Sequence, residues 1–95
     1  GENISSIEIE DSLYLHQSVA FCGVVAKPDE KWGEVPCAFV ELKPGLKLSE
    51  EVLIEHCREN LASYKVPKEI IFKKIPKTST GKIQKTELRK LVKGN

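Results

Sequence analysis

Residues 19–42 read VAFCGVVAKPDEKWGEVPCAFVEL, and this stretch decides the fold. Two short apolar runs, at residues 19–26 and 35–42, stand on either side of a polar segment. Their length and their β-branched side chains favour buried strands over helices. The polar segment KPDEKWGE is too long for a tight hairpin turn, but strands that follow one another along a chain usually lie side by side. The sequence therefore predicts two neighbouring strands.

The segment before these strands predicts a helix over residues 6–15. Ser5 and Glu8 have the spacing of a capping box, in which each side chain satisfies a free backbone N–H of the first turn. Apolar side chains follow at roughly helical intervals, at Ile9, Leu13 and Leu15.

The second half of the chain predicts a further helix, a third strand and a last helix. Ser49 can N-cap the helix, which must end before Pro67. Its buried face is predicted to consist of Leu53, Ile54, Cys57 and Leu61. Residues 69–75 (EIIFKKI) predict the strand, and residues 86–93 the last helix, with an apolar side formed by Leu88, Leu91 and Val92. The order α-β-β-α-β-α indicates a single small α+β domain: a three-stranded sheet core with packed helices.

The composition excludes several classes of protein. With 40% apolar and 31% charged residues, the chain of 95 residues is typical of one globular domain with a modest core. No apolar run approaches the roughly 20 residues of a membrane span, so none is expected. An odd number of cysteines without a C-x-x-C pair argues against a disulfide framework or zinc site and favours buried thiols at Cys22, Cys37 and Cys57.

The formal net charge of +1 conceals a strong asymmetry. Residues 1–64 carry 5 basic and 12 acidic side chains, whereas residues 65–95 carry 10 basic and 2 acidic ones. Such a division indicates an anionic partner, and one alternative is a basic nucleic-acid or protein-interaction module. Phe72 is the only aromatic residue of the basic third, so this part lacks a platform for stacking bases. We therefore expect no nucleic-acid partner.

The loop PKTSTGKIQK at residues 76–85 is the segment best suited to chemistry. Gly81 can bring the backbone close to a ligand, and Lys82 projects a compact positive charge suited to phosphate or carboxylate oxygens. It is not a P-loop, since no glycine lies five positions before Gly81 and Ile83 replaces the required Ser or Thr. The residues alone indicate an anion-contacting loop, with a solvated basic surface loop as the alternative.

The pattern P-x-T-x-x-G-K-x-x-K at residues 76–85 resembles the last conserved motif of the adenylate-forming superfamily. That superfamily includes acyl-CoA synthetases, coumarate-CoA ligases, firefly luciferase and the adenylation domains of peptide synthetases. GENISSIEIEDSL, at the start, looks like the segment just after the hinge between its large and small domains. Residues 16–45 and 58–82 are similar to its strand–loop–strand core and to its approach to the catalytic loop.

Because the resemblance covers nearly the whole chain, residues 1–95 are identified as the C-terminal lid domain of an AMP-forming acyl-CoA synthetase. The nearest type is a fatty-acyl or medium-chain acyl-CoA ligase. The resemblance implies a two-step reaction of a carboxylic acid, with ATP, coenzyme A and magnesium as cofactors of the full-length enzyme. Lys82 matches the catalytic lysine of acyl-adenylate formation, with Gly81 beside it, and Gly1 matches the glycine that lines the coenzyme A channel. Acetylation of Lys82 is an implied means of control.

The chain contains none of the parts with which the family holds ATP and the acyl substrate; these belong to a large N-terminal adenylation domain. We therefore expect the isolated domain to fold, but neither to catalyse the reaction nor to bind a cofactor tightly. The cytosol is the default location, and import directed by a segment upstream of Gly1 stays an alternative.

Several other residues have weaker assignments. Lys85 stands where the family often has arginine, and it is interpreted as a surface residue or an ion-pair partner of the large domain. For Trp32, packing in the core is favoured over a place at the domain interface. His16 and His56 are interpreted as surface or helix-face residues rather than catalysts. Ser5 and Asn3 share the loop of Gly1, and Tyr64 has no assigned role.

Overall fold

The computed structural model describes residues 5–93, and their architecture confirms the predicted α+β class. These residues form helices α1 (Ser6–Tyr14), α2 (Glu50–Asn60) and α3 (Lys85–Lys93), a 3₁₀ turn (Ser63–Lys65), and strands β1 (Val19–Asp29), β2 (Gly33–Leu42) and β3 (Glu69–Phe72). The order of helices and strands is the predicted one.

Strand β2 is the centre of the sheet. It pairs antiparallel with β1, where Val24 is opposite Ala38, and parallel with β3, where Phe39 is opposite Ile71. A parallel pair needs a crossover connection, and α2 lies in the one between β2 and β3.

Both faces of the sheet are buried. One face packs against α1 and α2 through Cys22, Val24, Ala38, Val40 and Ile70. The other packs against α3 and the loop before it through Val25, Cys37 and Phe39, which meet Ile75 and Leu88. Because successive residues of a strand point to opposite faces, burial on both sides explains why β1 and β2 are nearly continuous apolar runs.

Helix α3 lies close to β1 at Gly23. A Cβ atom added to Gly23 would be 2.8 Å from Cδ1 of Leu88 and 3.3 Å from Cγ2 of Ile83. The glycine therefore permits a close approach of the last helix, and with it of the loop that precedes this helix, to the sheet.

The prediction that the β1–β2 connection is too long for a tight turn is wrong. Both strands continue into the polar segment and leave only residues 30–32 between them. Asp29 Oδ2 accepts hydrogen bonds from the backbone N–H of Lys31 (3.0 Å) and Trp32 (2.8 Å), and Gly33 has φ +82°. This is the chemistry of a short hairpin loop. Trp32 lies in the turn and is 63% exposed, so its assignment to the core is also wrong.

The helix caps were predicted with mixed success. Ser49 Oγ accepts the backbone N–H of Val52 at 3.3 Å, as predicted for the N-cap of α2. The capping box at the start of α1 does not form: the Ser5 side chain makes no capping bond, and the Glu8 carboxylate instead pairs with Lys65 Nζ at 2.6 Å. A partner 57 residues away takes the place of a local one.

Smaller differences concern apolar residues and element ends. Leu15 and Leu91 are exposed, contrary to prediction, and β3 ends at Phe72 rather than residue 75. Leu53 and Cys57 are buried, with Ile54 and Leu61 half-buried against them, as predicted for α2.

The three cysteines are free, buried thiols, as predicted. Burial raises the pKa of Cys22 to about 12 and that of Cys37 to about 11. These thiols are therefore protonated at neutral pH and poor nucleophiles. In the part of the chain that the structure describes, no helix has the length and apolar character needed to cross a bilayer.

Candidate functional site

The loop at residues 76–85 folds as a small hairpin of its own. Lys77 and Ile83 form an antiparallel bridge, and within it the Thr78 N–H donates to the Lys82 carbonyl at 2.8 Å. The Gly81 N–H donates to the Thr78 carbonyl at 2.9 Å, and Gly81 has φ +88°. That left-handed conformation favours glycine, so Gly81 is required by the turn that presents Lys82.

The hydroxyl groups of Thr78 and Thr80 make hydrogen bonds within the loop. Thr78 Oγ1 accepts the backbone N–H of Lys82 at 3.1 Å and lies 3.0 Å from Thr80 Oγ1. Thr78 therefore fixes the backbone of Lys82 from both its main chain and its side chain. This role of Thr78 is not among the expectations from sequence, although hydroxyl residues often bond nearby backbone groups in turns.

The side chain of Lys82 is exposed and has no carboxylate partner among residues 5–93. The other two lysines of the loop, Lys77 and Lys85, are both paired with glutamates. Lys82 is thus the lysine of this loop whose charge is available to a ligand.

Lys77 ties the start of the loop to the sheet. Its Nζ lies 2.8 Å from Glu41 Oε1, 3.0 Å from the Ile75 carbonyl oxygen and 4.1 Å from the centroid of the Phe21 ring. Glu41 also accepts the Ile75 N–H at 2.9 Å. The hydrogen bond from Lys77, together with that backbone bond, holds the pKa of Glu41 below its ordinary value.

Lys85 ties the end of the loop to α1, whereas the sequence alone led us to expect a surface residue or an ion-pair partner of the large domain. Its Nζ lies 2.6 Å from Glu10 Oε2 and 3.3 Å from Ser6 Oγ. The physical reason is that α1 packs along β1, and there Glu10 also accepts the Val24 N–H at 2.8 Å. Lys85 therefore has its ionic partner inside this domain.

An open groove of about 550 Å³ runs beside the loop. Its lining includes Lys73, Lys74 and Lys77 on the side of the loop and Glu87 and Leu91 on α3. This groove is an open, largely basic surface beside the start of the loop, not an enclosed substrate pocket.

The two histidines have structural contacts and no catalytic arrangement. Their rings meet edge to face at 5.2 Å. His56 Nε2 donates to the Ser12 carbonyl oxygen at 2.7 Å, and His16 Nδ1 accepts the Ser18 N–H at 3.1 Å. Burial, followed by the charge of His56, lowers the pKa of His16. The His56–Ser12 bond and the ring contact join the end of α1 and the segment after it to α2, so the histidines serve the fold.

Three residues singled out from the sequence remain: Gly1, Asn3 and Tyr64. Gly1 and Asn3 lie outside the described residues. Tyr64 is 77% exposed, beside the Lys65 that pairs with Glu8.

Comparisons with known proteins agree with the fold and the loop. Residues 8–82 match the family model of the AMP-binding enzyme C-terminal domain. The chain is 54% identical to a 2-methylpropanoate–CoA ligase of Humulus lupulus, over 99% of this chain and 17% of the relative. It is 55% identical to an acetate–CoA ligase of the same plant, over 94% of this chain and 16% of the relative.

Solved structures of CoA ligases contain a domain with a similar fold. A fatty acyl CoA synthetase of Mycobacterium tuberculosis superposes with a TM-score of 0.82 at 41% identity, over 90% of this chain and 17% of that one. An anthranilate CoA ligase superposes with a TM-score of 0.84 at 40% identity, over 94% of this chain and 18% of that one. The chain thus spans about a sixth of the length of its relatives. It belongs to the family of AMP-binding enzyme C-terminal domains, found in the acyl-CoA ligases of the adenylate-forming superfamily.

Proposed function

We propose that residues 1–95 are the mobile lid of an ATP-dependent, AMP-forming carboxylate–CoA ligase, and that Lys82 is its catalytic lysine. The observation that carries this proposal is the contrast within one loop: Lys77 and Lys85 are paired, whereas Lys82 is exposed without a carboxylate partner among the described residues. A lysine that is to meet two anionic substrates must not already be neutralised by its own domain.

The proposed chemistry has two steps. In the first, a carboxylate oxygen attacks the α-phosphorus of ATP, an acyl-adenylate forms and pyrophosphate leaves. The Lys82 ammonium stabilises the negative charge on the oxygens between the reactants and orients two anions that would otherwise repel. In the second, the coenzyme A thiol attacks the adenylate carbonyl, which gives a thioester and AMP, with Gly1 proposed to line the thiol's channel.

The remaining requirements of the reaction belong to the rest of the enzyme. Among residues 5–93, no group of three or more His, Cys, Asp or Glu side chains is placed to hold a metal ion. The acid is proposed to be an aliphatic carboxylic acid. The names of relatives, which specify acetate, butyrate and 2-methylpropanoate, support an acid shorter than the fatty or medium-chain type. The alternative of a basic nucleic-acid module has no support from the family match.

The test separates the two half-reactions in the full-length enzyme. Lys82→Ala should lower ATP–pyrophosphate exchange by about 10²–10³-fold, as expected for the loss of one group that stabilises transition-state charge. Thioester formation from supplied acyl-adenylate should be retained. Lys31→Ala, which removes an exposed lysine of the β1–β2 turn, is the matched control. Unchanged pyrophosphate exchange in Lys82→Ala would refute the assignment.

Acetylation of Lys82 is proposed to act in the same way, since it removes the ammonium charge. Enzyme acetylated at Lys82, verified by peptide mapping, should behave as Lys82→Ala does in both assays and recover on deacetylation.

A further inference from the structure

The two paired lysines of the loop are built into the domain in the same manner. At the start of the loop, a single oxygen, Glu41 Oε1, accepts both the Ile75 N–H at 2.9 Å and the Lys77 ammonium at 2.8 Å. Glu41 belongs to β2, the central strand, so this contact fixes Lys77 to the middle of the sheet.

The end of the loop repeats the arrangement with other elements. A single oxygen, Glu10 Oε2, accepts both the Val24 N–H at 2.8 Å and the Lys85 ammonium at 2.6 Å. Because Val24 belongs to β1 and Glu10 to α1, this contact fixes the first residue of α3 to two elements at once.

Both pairs are shielded from water. The side chains of Glu41 and Glu10 are only 24% and 15% exposed, whereas those of the surface pair Arg58–Glu55 are 62% and 61% exposed. Solvent screening weakens exposed pairs far more than shielded ones. A carboxylate that is also held by a backbone N–H has little freedom to move, so each glutamate is a fixed attachment point.

We propose that Lys77 and Lys85, with Glu41 and Glu10, are positioning residues that hold the loop so that the Lys82 ammonium reaches one defined place. This inference rests on the proposed role of Lys82. Backbone bonds across the Lys77–Ile83 bridge and the bond from the Gln84 N–H to the Pro76 carbonyl (2.9 Å) shape the loop, but they do not attach it to the sheet or to α1. The two lysine pairs make that attachment, together with the apolar packing of Ile83 against the sheet.

The energetic reason is the sensitivity of catalysis to geometry. Misplacement of a reacting group by about 1 Å can cost roughly 10²-fold in rate. When the lid moves as a body, a loop attached to β2 at one end and to α1 and β1 at the other moves with it. Release of either attachment lets Lys82 sample positions that are not productive.

The competing explanation is that the pairs only stabilise the fold. The experiment therefore uses the full-length enzyme with Lys77→Met and Lys85→Met, singly and together, since methionine keeps an unbranched apolar side chain and removes the charge. Lys27→Met is the matched control, because it removes an ion pair that joins β1 to Glu69 of β3 away from the loop. The readouts are kcat and KM for pyrophosphate exchange, the rate of thioester formation from supplied acyl-adenylate, and the thermal midpoint.

Each single Met variant should lower kcat of pyrophosphate exchange by about 10-fold, and the double variant by up to about 10²-fold, with little change in KM. Thioester formation should stay within about twofold of the unaltered enzyme, because Lys82 has no role in that step. Lys77→Arg and Lys85→Arg should restore exchange, since arginine keeps the charge and the donors. Lys27→Met should leave exchange unchanged.

Two results would overturn the positioning role: unchanged exchange in the double Met variant, or a parallel loss in both half-reactions that follows the thermal midpoint. If a Met variant does not fold, Glu41→Gln and Glu10→Gln provide the same test, since the amide oxygen can still accept the backbone N–H. Lys82→Ala, measured alongside, separates the two hypotheses. If Lys82→Ala loses exchange and the paired-lysine variants do not, the positioning role alone fails; if Lys82→Ala keeps exchange, the proposed function fails as well.

Discussion

The β1–β2 turn and the loop at residues 76–85 have similar backbone conformations and hydrogen bonds, but they serve different purposes. Each contains a glycine in the left-handed region, Gly33 at φ +82° and Gly81 at φ +88°. In each, a side-chain oxygen accepts a hydrogen bond from a backbone N–H a few residues later. The accepting oxygen is Asp29 Oδ2 in the turn and Thr78 Oγ1 in the loop. The backbone alone therefore does not distinguish a simple connection from a candidate catalytic loop.

The difference lies in what surrounds the lysine at each tip. The Lys31 ammonium lies 5.1 Å from the centroid of the exposed Trp32 ring, and the turn merely joins two strands. Lys82 has no carboxylate partner within residues 5–93, and shielded ion pairs of Lys77 and Lys85 stand on either side of it. Attachment to the core, rather than turn type, thus distinguishes the candidate catalytic loop from the β1–β2 turn.

The largest expected effect concerns the packing of α3 against β1, which supports the loop at residues 76–85. Leu88 of α3 is fully buried against β1, so Leu88→Ala should destabilise the chain by about 2–5 kcal/mol. Leu91→Ala makes the same chemical change at a residue that is 53% exposed, and it should cost less than about 0.5 kcal/mol. Urea unfolding of the 95-residue chain measures both. Equal losses would contradict the packing of α3 described above.

The next effect compares the two glycines directly. Alanine in the left-handed region costs about 1–2 kcal/mol. Among the described residues, apart from the glycine and its two chain neighbours, no atom lies within 4 Å of an added Cβ at either site. Gly81→Ala and Gly33→Ala should therefore lower the stability of the chain by similar amounts. In the full-length enzyme, only Gly81→Ala should lower pyrophosphate exchange, by about 10-fold, because only it displaces Lys82. Similar losses of exchange in both variants would break the distinction between the two turns.

The smallest expected effect is the pH dependence of the stability that the Lys77–Glu41 ion pair contributes. The pKa of Glu41 is lower in the folded chain than in the unfolded chain, chiefly because Lys77 donates to it. Its contribution to stability is therefore complete above the ordinary carboxyl pKa of 4.5 and is lost as the pH falls through the lowered value. Glu41→Gln should reduce stability by less than about 1 kcal/mol at neutral pH, and the difference should vanish in strong acid. Denaturation across this range measures it, and a difference independent of pH would argue against the ion pair.

Local patterns made much of this molecule predictable from sequence. The buried strands and the Ser49 cap depend on residues within a few positions of one another, and the sequence predicts both. The family resemblance, carried by the motif that ends at Lys85, led directly to Lys82 as the candidate site.

Long-range pairing accounts for two of the differences from expectation. Glu8 pairs with Lys65 instead of forming the predicted capping box. Lys85 pairs with Glu10, which lies near the other end of the chain. Neither pairing leaves a local pattern, because it depends on how helices pack on the sheet. Trp32 was misplaced because the Asp29 side chain closes a turn within a segment that appeared too long for one.

The glutamates that attach the helices have a second consequence, for the outer edges of the sheet. An uncovered edge strand offers unpaired N–H groups on which another chain can add a strand, the usual start of edge-to-edge aggregation. On β1, the N–H groups of Cys22 and Val24 are occupied by Tyr14 Oη (3.1 Å) and by Glu10 (2.8 Å), and on β3 the N–H of Ile70 is occupied by Glu50 (2.9 Å). Side chains thus occupy part of both edges of a three-stranded sheet too small to protect itself by curling into a barrel.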